Sequence, residues 1–263
     1  MAVLGGCAGG PGAGNGPGDG SSRGPSRTVT PLPTAAPATV AERCFVDGPG
    51  DLEPLEAADG SALTSVAYGA GTVAVVLLHQ TGAGGLCGWV PYARWLGERG
   101  VLALAVDDCV HGASRCTPAL TGDTRGQVAA AVDAARARGA SAVAVVGASM
   151  GGARALGVGQ AAGADAVVDL SGPDRWQGVP DAVEAGRATT VPLLVVSSDG
   201  DTGIDGGVLD DAVAASPARV ADRWRLEGDR HGWDVVTDGV GNDATVSSEG
   251  GRVLAWVRAA LSG

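Results

Sequence analysis

Hydrophobic residues between positions 73 and 226 are concentrated in short, nearly unbroken runs, and amphipathic segments lie between several of these runs. Runs without polar alternation are typical of parallel strands that helices cover on both faces. The pattern predicts strands at 73–78, 101–106, 142–146, 166–170, 192–197 and 219–226, and helices at 89–99, 124–138, 209–215 and 249–261. Strands that alternate with helices at this spacing predict an α/β fold with a mostly parallel, doubly wound sheet.

The residues before this alternation divide into two parts. Residues 1–41 are rich in Gly, Pro, Ser, Thr and Ala, a composition typical of a flexible, disordered tether. We therefore expect a tether at 1–41 and a single folded domain at 42–263. The domain is predicted to begin with two antiparallel strands, at 44–46 and 63–68.

The tether contains one cysteine, Cys7, preceded by Leu4-Gly5-Gly6. The tetrapeptide Leu4-Gly5-Gly6-Cys7 resembles the lipobox of bacterial lipoproteins, in which the cysteine receives a lipid after the signal peptide is cleaved. The resemblance implies an exported protein held at the cell surface by a lipid on Cys7. Only six residues precede Cys7, so we expect the signal peptide to be truncated in this sequence or absent. The alternative is a cytoplasmic protein.

The other four cysteines are Cys44, Cys87, Cys109 and Cys116. An even number fits an exported protein with two disulfides, although three pairings are possible. Cys87 follows the first predicted core strand, and Cys109 and Cys116 follow the next, so we expect these three at one edge of the sheet. The alternative is buried free thiols in a cytoplasmic protein.

Charge and composition exclude several classes of partner. The net charge of -11 and the lack of clustered Lys and Arg argue against nucleic-acid binding. No apolar run approaches the roughly 18 to 20 residues that span a bilayer. The three histidines fall in separate predicted loops, and no close Cys/His ligand spacing occurs, so neither a metal site nor a cofactor is predicted.

A candidate nucleophile lies in Gly147-Ala148-Ser149-Met150-Gly151, between the predicted strand 142–146 and the helix-compatible segment 152–156. In a nucleophile elbow, the glycines permit a sharp turn that exposes the serine hydroxyl, and the helix N-terminus favours developing negative charge. Ser22 has the same G-x-S-x-G spacing but lacks a flanking strand and helix. We therefore predict Ser149 as the nucleophile.

A serine nucleophile needs a base, and the base needs a carboxylate to hold it in one tautomer. In a nucleophile-elbow enzyme, the acid and the histidine follow the serine in that order, in loops after later strands. His231, in the loop after the strand 219–226, is the predicted base. Asp201, five residues past the hydrophobic run 193–196, is the predicted acid, and Asp199 and Asp174 remain alternatives.

Two backbone N–H groups must stabilise the oxyanion of an acyl-transfer reaction. We expect one from Met150 and the other from Gln80 or Thr81, in the glycine-rich loop after the strand 73–78. His79, which begins this loop, is expected to orient it rather than to transfer protons.

Over roughly residues 60–263 the chain resembles the α/β-hydrolase superfamily. His79-Gln80-Thr81-Gly82 stands where the family carries His-Gly, with Gln80 replacing the usual glycine. Asp107, Gly112 and Ser114 match the family's D-x-x-x-x-G-x-S run, although Cys109-Val110 replaces its usual Arg-Gly. His231-Gly232-Trp233 looks like the small dienelactone-hydrolase and esterase branch.

The resemblance implies an α/β-hydrolase fold and a serine hydrolase that cleaves small carboxylic esters through an acyl-enzyme. Many members insert a cap domain where this chain has only residues 172–191, so a minimal lid is expected. The alternatives are an acyltransferase or peptidase with the same three residues, or a cell-surface binding domain that does no chemistry.

Overall fold

The computed structural model describes residues 36–82 and 84–262. Eight strands form one sheet in the order β1-β2-β4-β3-β5-β6-β7-β8. Strand β2 is antiparallel to both of its neighbours, and the six strands from β4 to β8 in this order are parallel. The strands are β1 (Glu53–Glu56), β2 (Ala62–Tyr68), β3 (Val73–Leu78), β4 (Leu102–Val106), β5 (Ala142–Ala148), β6 (Ala166–Leu170), β7 (Leu193–Ser198) and β8 (Ala221–Leu226).

Helices cover both faces of this sheet, and a short antiparallel pair, β9 (Thr237–Asp238) and β10 (Thr245–Val246), precedes the last of them. Several helices begin at an Asp, Ser or Thr whose side chain accepts a hydrogen bond from the first turn, a stabilising cap. The helices are α1 (Val40–Cys44), α2 (Val90–Gly97), α3 (Pro118–Thr121), α4 (Thr124–Ala137), α5 (Met150–Val158), α6 (Ala182–Ala188), α7 (Gly206–Ala215) and α8 (Ser248–Leu261).

The protein has a hydrophobic core on each face of the sheet, and the buried strands contribute side chains to both. Successive side chains of a strand point to opposite faces of the sheet. In β3, Val75 and Leu77 therefore join the core beneath α2 and α8, whereas Ala74 and Val76 join the core beneath α4 to α7. This arrangement confirms the predicted doubly wound α/β sheet.

The prediction of a strand at 44–46 was wrong. Cys44 ends α1, and Phe45 has a left-handed backbone conformation and a side chain that is 85% exposed. The strand that pairs with β2 is β1, Glu53–Glu56, in which only Leu55 is buried. An edge strand with one buried side chain leaves no apolar run in the sequence, so the pattern could not reveal it.

The predicted tether lies mostly outside the described residues. Cys7 and Ser22 belong to residues 1–35, about which the structure says nothing, and the compact unit begins at Ala36. The tether and the lipid anchor stay predictions. None of the helices within residues 36–82 and 84–262 is long and apolar enough to cross a bilayer.

Two disulfides select one of the three possible pairings, Cys44–Cys87 and Cys109–Cys116. The first joins α1 to the short helical turn Gly85–Trp89 after β3. Beside it, Arg43 of α1 forms a buried ion pair with Asp107, which follows β4. Together these links hold α1 against the loops that leave β3 and β4.

Candidate active site

Ser149 occupies a strained turn between β5 and α5. Its backbone has φ 50° and ψ -115°, a conformation that costs a non-glycine residue on the order of 1–3 kcal/mol. The N–H of Ser149 donates to the carbonyl of Leu170 at 2.8 Å. A Cβ at Gly147 would overlap the carbonyl of Gly151, and a Cβ at Gly151 would overlap the carbonyl of Leu78. Both glycines are therefore required for the turn that carries the serine.

His231 and Asp201 meet at the same edge of the sheet. Asp201 follows β7, His231 follows β8, and Nδ1 of His231 lies 2.7 Å from Oδ2 of Asp201. Asp201 is buried, whereas 37% of the His231 side chain is exposed. A carboxylate beside Nδ1 keeps the ring proton on that nitrogen, which leaves Nε2 free to accept a proton. The pair therefore has the chemistry of a general base with its orienting acid.

The two alternative acids lie elsewhere. Asp199 is exposed and forms an ion pair with Arg225 at 3.4 Å. Asp174 is partly exposed and lies 3.7 Å from Nε of Arg175. In the described part of the chain, the carboxylate hydrogen-bonded to His231 is that of Asp201.

The predicted oxyanion donors lie on two segments that contact each other. Met150 begins α5, and Gln80 and Thr81 follow β3. Gly151, in the first turn of α5, lies directly against the carbonyls of Leu78 and His79. The loop after β3 is therefore held against the end of the helix from which Met150 would donate.

The side chain of Gln80 makes a contact that the sequence did not suggest. Its Oε1 accepts a hydrogen bond from the N–H of Trp233 at 3.3 Å. A Cβ at Gly232 would overlap this oxygen. Gln80 therefore joins the loop that carries a candidate oxyanion donor to the loop that carries His231.

His79 is buried and held at both ring nitrogens. Nδ1 lies 2.7 Å from the carbonyl of Gln80, and Nε2 accepts from the N–H of Asp108 at 3.2 Å. Burial holds its pKa below the usual value, so the ring is neutral at pH 7. These contacts agree with a role in orienting the loop.

Two of the three histidines, expected to stay apart, lie side by side. The rings of His79 and His111 are 4.4 Å apart, and Nδ1 of His111 contacts Oδ1 of Asp108 at 2.5 Å. Their loops are separate in the sequence but follow β3 and β4, which are neighbouring parallel strands. Sequence separation was therefore a poor guide to whether these residues could share a ligand.

Asp169, which the sequence reading did not single out, lies beneath the nucleophile turn. It is fully buried in β6, and a Cβ at Gly152 in the first turn of α5 would overlap its carboxylate. Oδ1 accepts from the N–H of Gly172 at 2.6 Å. Burial raises the pKa to about 7, although the Gly172 hydrogen bond and the charge of Arg223 act in the opposite direction. A carboxylate within the apolar run 166–170 was the signal that could have identified it.

This raised pKa makes stability depend on pH. Because the folded protein holds the proton more tightly than the unfolded chain does, the contribution of Asp169 is most favourable below pH 4 and is lost between about pH 4 and 7. We expect Asp169→Asn, which imitates the neutral acid, to raise the free energy of unfolding at pH 8 by on the order of 2 kcal/mol. Urea unfolding at pH 5 and pH 8 measures this difference. A gain that is equal at both pH values would contradict the assignment.

Known structures match this chain over most of its length. The esterase Pf2001 of Pyrococcus furiosus aligns with 87% of this chain and 98% of its own, with TM-score 0.62 and 14% identity. Est1E of Butyrivibrio proteoclasticus, with ferulic acid bound, aligns with 79% of this chain and 96% of its own, with TM-score 0.57 and 16% identity. XC6422 of Xanthomonas campestris, an α/β serine hydrolase without a lid, aligns with 68% and 84%, with TM-score 0.52 and 19% identity. The chain has the α/β-hydrolase fold.

At these identities the likeness shows the fold alone. No protein-family model matches the chain, and no curated protein sequence matches it either. In the α/β-hydrolase fold the nucleophile lies on a strand-to-helix turn, and the acid and the histidine follow it in the chain. Ser149, Asp201 and His231 occupy loops in that order, after β5, β7 and β8. The segment between β6 and β7 contains one short helix, α6, which agrees with the expected minimal lid.

Proposed function

We propose that the protein is a serine hydrolase that cleaves carboxylic esters, with Ser149 as nucleophile, His231 as base and Asp201 as its acid partner. The observation that carries this proposal is the hydrogen bond between Nδ1 of His231 and Asp201. It joins loops after two parallel strands at the edge of the sheet where Ser149 is held in its strained turn. A histidine or an aspartate without a catalytic role would not need to lie at the sheet edge that carries Ser149.

The reaction follows from these roles. Oγ of Ser149 attacks the ester carbonyl carbon while Nε2 of His231 takes the hydroxyl proton, and the N–H of Met150, with that of Gln80 or Thr81, stabilises the oxyanion. When the tetrahedral intermediate collapses, His231 gives the proton to the departing alcohol. Water, activated by the same histidine, then releases the carboxylic acid and restores Ser149.

Hydrolysis is favoured over transfer to another acceptor by the access of water. The side chain of His231 is 37% exposed, and the connection between β6 and β7 is short. The named esterases among the structural neighbours support an ester as the substrate. An acyltransferase or peptidase would use the same three residues, but no contact among the described residues favours either one over ester hydrolysis.

The test is labelling with a fluorophosphonate, which reacts with an activated serine, followed by mass mapping of the adduct. We expect one adduct, on Ser149, and its loss in His231→Ala, because the hydroxyl is a poor nucleophile without a base. Asp199→Asn serves as the matched control and should label normally. A folded wild-type protein that does not label, or an adduct that persists without His231, would overturn the proposal.

We further propose that the protein is exported and tethered to the surface of a bacterial cell through a lipid on Cys7. The two disulfides support an oxidising compartment. Alkylation of protein taken directly from its host should modify no cysteine of the described domain until a reductant is added. Four freely alkylated cysteines would instead support a cytoplasmic location.

A further inference from the structure

A second group of side chains, distinct from the Ser149 site, converges beside the loop after β3. His79 follows β3, and Asp108 and His111 follow β4. One donor atom from each of these three residues lies within 4.8 Å of the other two. We propose that His79, Asp108 and His111 bind a divalent transition-metal ion of the zinc type.

The separations of the donor atoms are close to those that a metal requires. Ligand bonds of about 2.0–2.2 Å in a tetrahedral site place the ligand atoms roughly 3.3–3.5 Å apart. Oδ1 of Asp108 lies 2.5 Å from Nδ1 of His111 and 3.9 Å from Nε2 of His79. To admit the ion, His111 must move about 1 Å away from Asp108, and Asp108 and His79 must approach each other by about 0.5 Å. His111 is 20% exposed, so its ring has room for this adjustment.

The surrounding contacts orient the ligands as they do in metal sites. A ligating histidine usually donates its second N–H to a carbonyl or carboxylate, and ligating carboxylates are themselves hydrogen-bonded. Nδ1 of His79 faces the carbonyl of Gln80 at 2.7 Å, so the ring lone pair is on Nε2. That lone pair accepts from the N–H of Asp108 at 3.2 Å, a hydrogen bond that the ion would replace. Oδ2 of Asp108 accepts from Arg154 at 2.7 Å, so Oδ1 faces the two imidazoles.

The donor set and the local charge determine which ion fits. Two imidazoles and one carboxylate suit Zn²⁺, Co²⁺ or Ni²⁺, whereas Ca²⁺ and Mg²⁺ prefer oxygen ligands. Asp107 is already paired with Arg43, and Arg154 offsets part of the charge of Asp108. Binding is therefore expected to be weaker than in a site with an unpaired carboxylate. A water molecule from solvent at the exposed edge of His111 would supply the fourth ligand.

Two restraints keep the ligands close together before the ion arrives. The disulfide Cys109–Cys116 closes the short loop that carries His111, and Oδ1 of Asp108 accepts from the N–H of Val110 at 3.1 Å. The loop therefore loses little conformational freedom on binding, which favours the complex. Without an ion, the same residues form a hydrogen-bonded network, and that network is the competing explanation of their convergence.

The ion would join the loop after β3 to the loop after β4. His79 adjoins Gln80, a candidate oxyanion donor, and Arg154 lies on α5, the helix that follows Ser149. The metal is thus assigned a structural role, because the base and its acid lie at His231 and Asp201. Any effect of the ion on turnover depends on the proposed hydrolase function, whereas binding of the ion does not depend on it.

The experiment is titration of metal-free, oxidised protein with Co²⁺, because Zn²⁺ itself has no visible absorption. We expect visible absorption bands that saturate at one equivalent and vanish when Zn²⁺ is added. His111→Ala should abolish the bands, whereas His231→Ala, which removes the other histidine able to bind the ion, should retain them. Zn²⁺ in large excess over its Kd should raise the Tm of the wild type by about 5 °C and that of His111→Ala by much less.

Three outcomes would overturn the proposal: no saturable band in the wild type, bands that persist in His111→Ala, or bands lost only in His231→Ala. The first result identifies a hydrogen-bonded network only, and the third places the ion on the base of the Ser149 site. If His111→Ala does not fold, His111→Gln keeps a hydrogen bond to Asp108 and serves instead. None of these readouts depends on hydrolysis, so an inactive enzyme would leave the result valid.

Discussion

Replacement of Ser149 by alanine is expected to lower kcat for ester hydrolysis by about a million-fold, the scale of loss when a catalytic serine is removed. Without Oγ no acyl-enzyme can form, and His231 has no proton to take. The folded structure should persist, because alanine occupies the same turn between Gly147 and Gly151 without a larger side chain. Initial rates with a p-nitrophenyl ester measure the loss, and the thermal unfolding curve checks the fold.

The matched control for this variant is Ser198→Ala. Ser198 ends β7 at the same edge of the sheet, and its buried hydroxyl has no hydrogen-bond partner among the described residues. Alanine there should leave kcat within a few-fold of the wild type. Turnover by Ser149→Ala within tenfold of the wild type would show that another group is the nucleophile.

Asp201→Asn is expected to lower kcat by about 10⁴-fold with little change in KM. A carboxylate accepts a hydrogen bond from the Nδ1–H of His231, whereas an amide that donates to Nδ1 leaves the ring proton on Nε2. The imidazole would then face Ser149 with the wrong nitrogen protonated. Steady-state kinetics and circular dichroism of the variant separate this effect from a loss of folding.

Asp199→Asn tests the same loop without touching the base. Asp199 is exposed and paired with Arg225, and such surface pairs contribute about 0–1 kcal/mol. Its kcat should therefore match that of the wild type. Equal losses at positions 199 and 201 would mean that the loop is sensitive to any change and that Asp201 has no special role.

The fold could be predicted because most positions of its central strands are apolar. Runs such as 73–78 and 142–146 are buried on both faces, so nearly every residue in them is apolar and the sequence reveals the strands. The edge strand Glu53–Glu56 could not be predicted in this way, because three of its four side chains are exposed. Val46 is apolar and buried in the core, and Cys44 packs against the core and forms the disulfide with Cys87, but neither residue lies in a strand.

The candidate site was predictable to the extent that it depends on chain order. The order of serine, aspartate and histidine after β5, β7 and β8 is visible in the sequence, and the structure brings Asp201 and His231 into contact. The loops after β3 and β4 were expected at one edge of the sheet, and His79 and His111 lie in these two loops. Their ring contact depends on β3 and β4 being direct neighbours, which order in the chain does not determine.

The contact of Gln80 with the backbone at Gly232 and Trp233 has a consequence for how this protein can vary. The side chain at position 80 fills the space that any side chain at position 232 would need. Alanine at position 232 would have to displace this flexible side chain, which would remove the acceptor from the N–H of Trp233. It would also have to adopt the left-handed φ of 59° that glycine has there. In a mutant library, glycine should therefore persist at position 232 even in variants with a smaller residue at position 80.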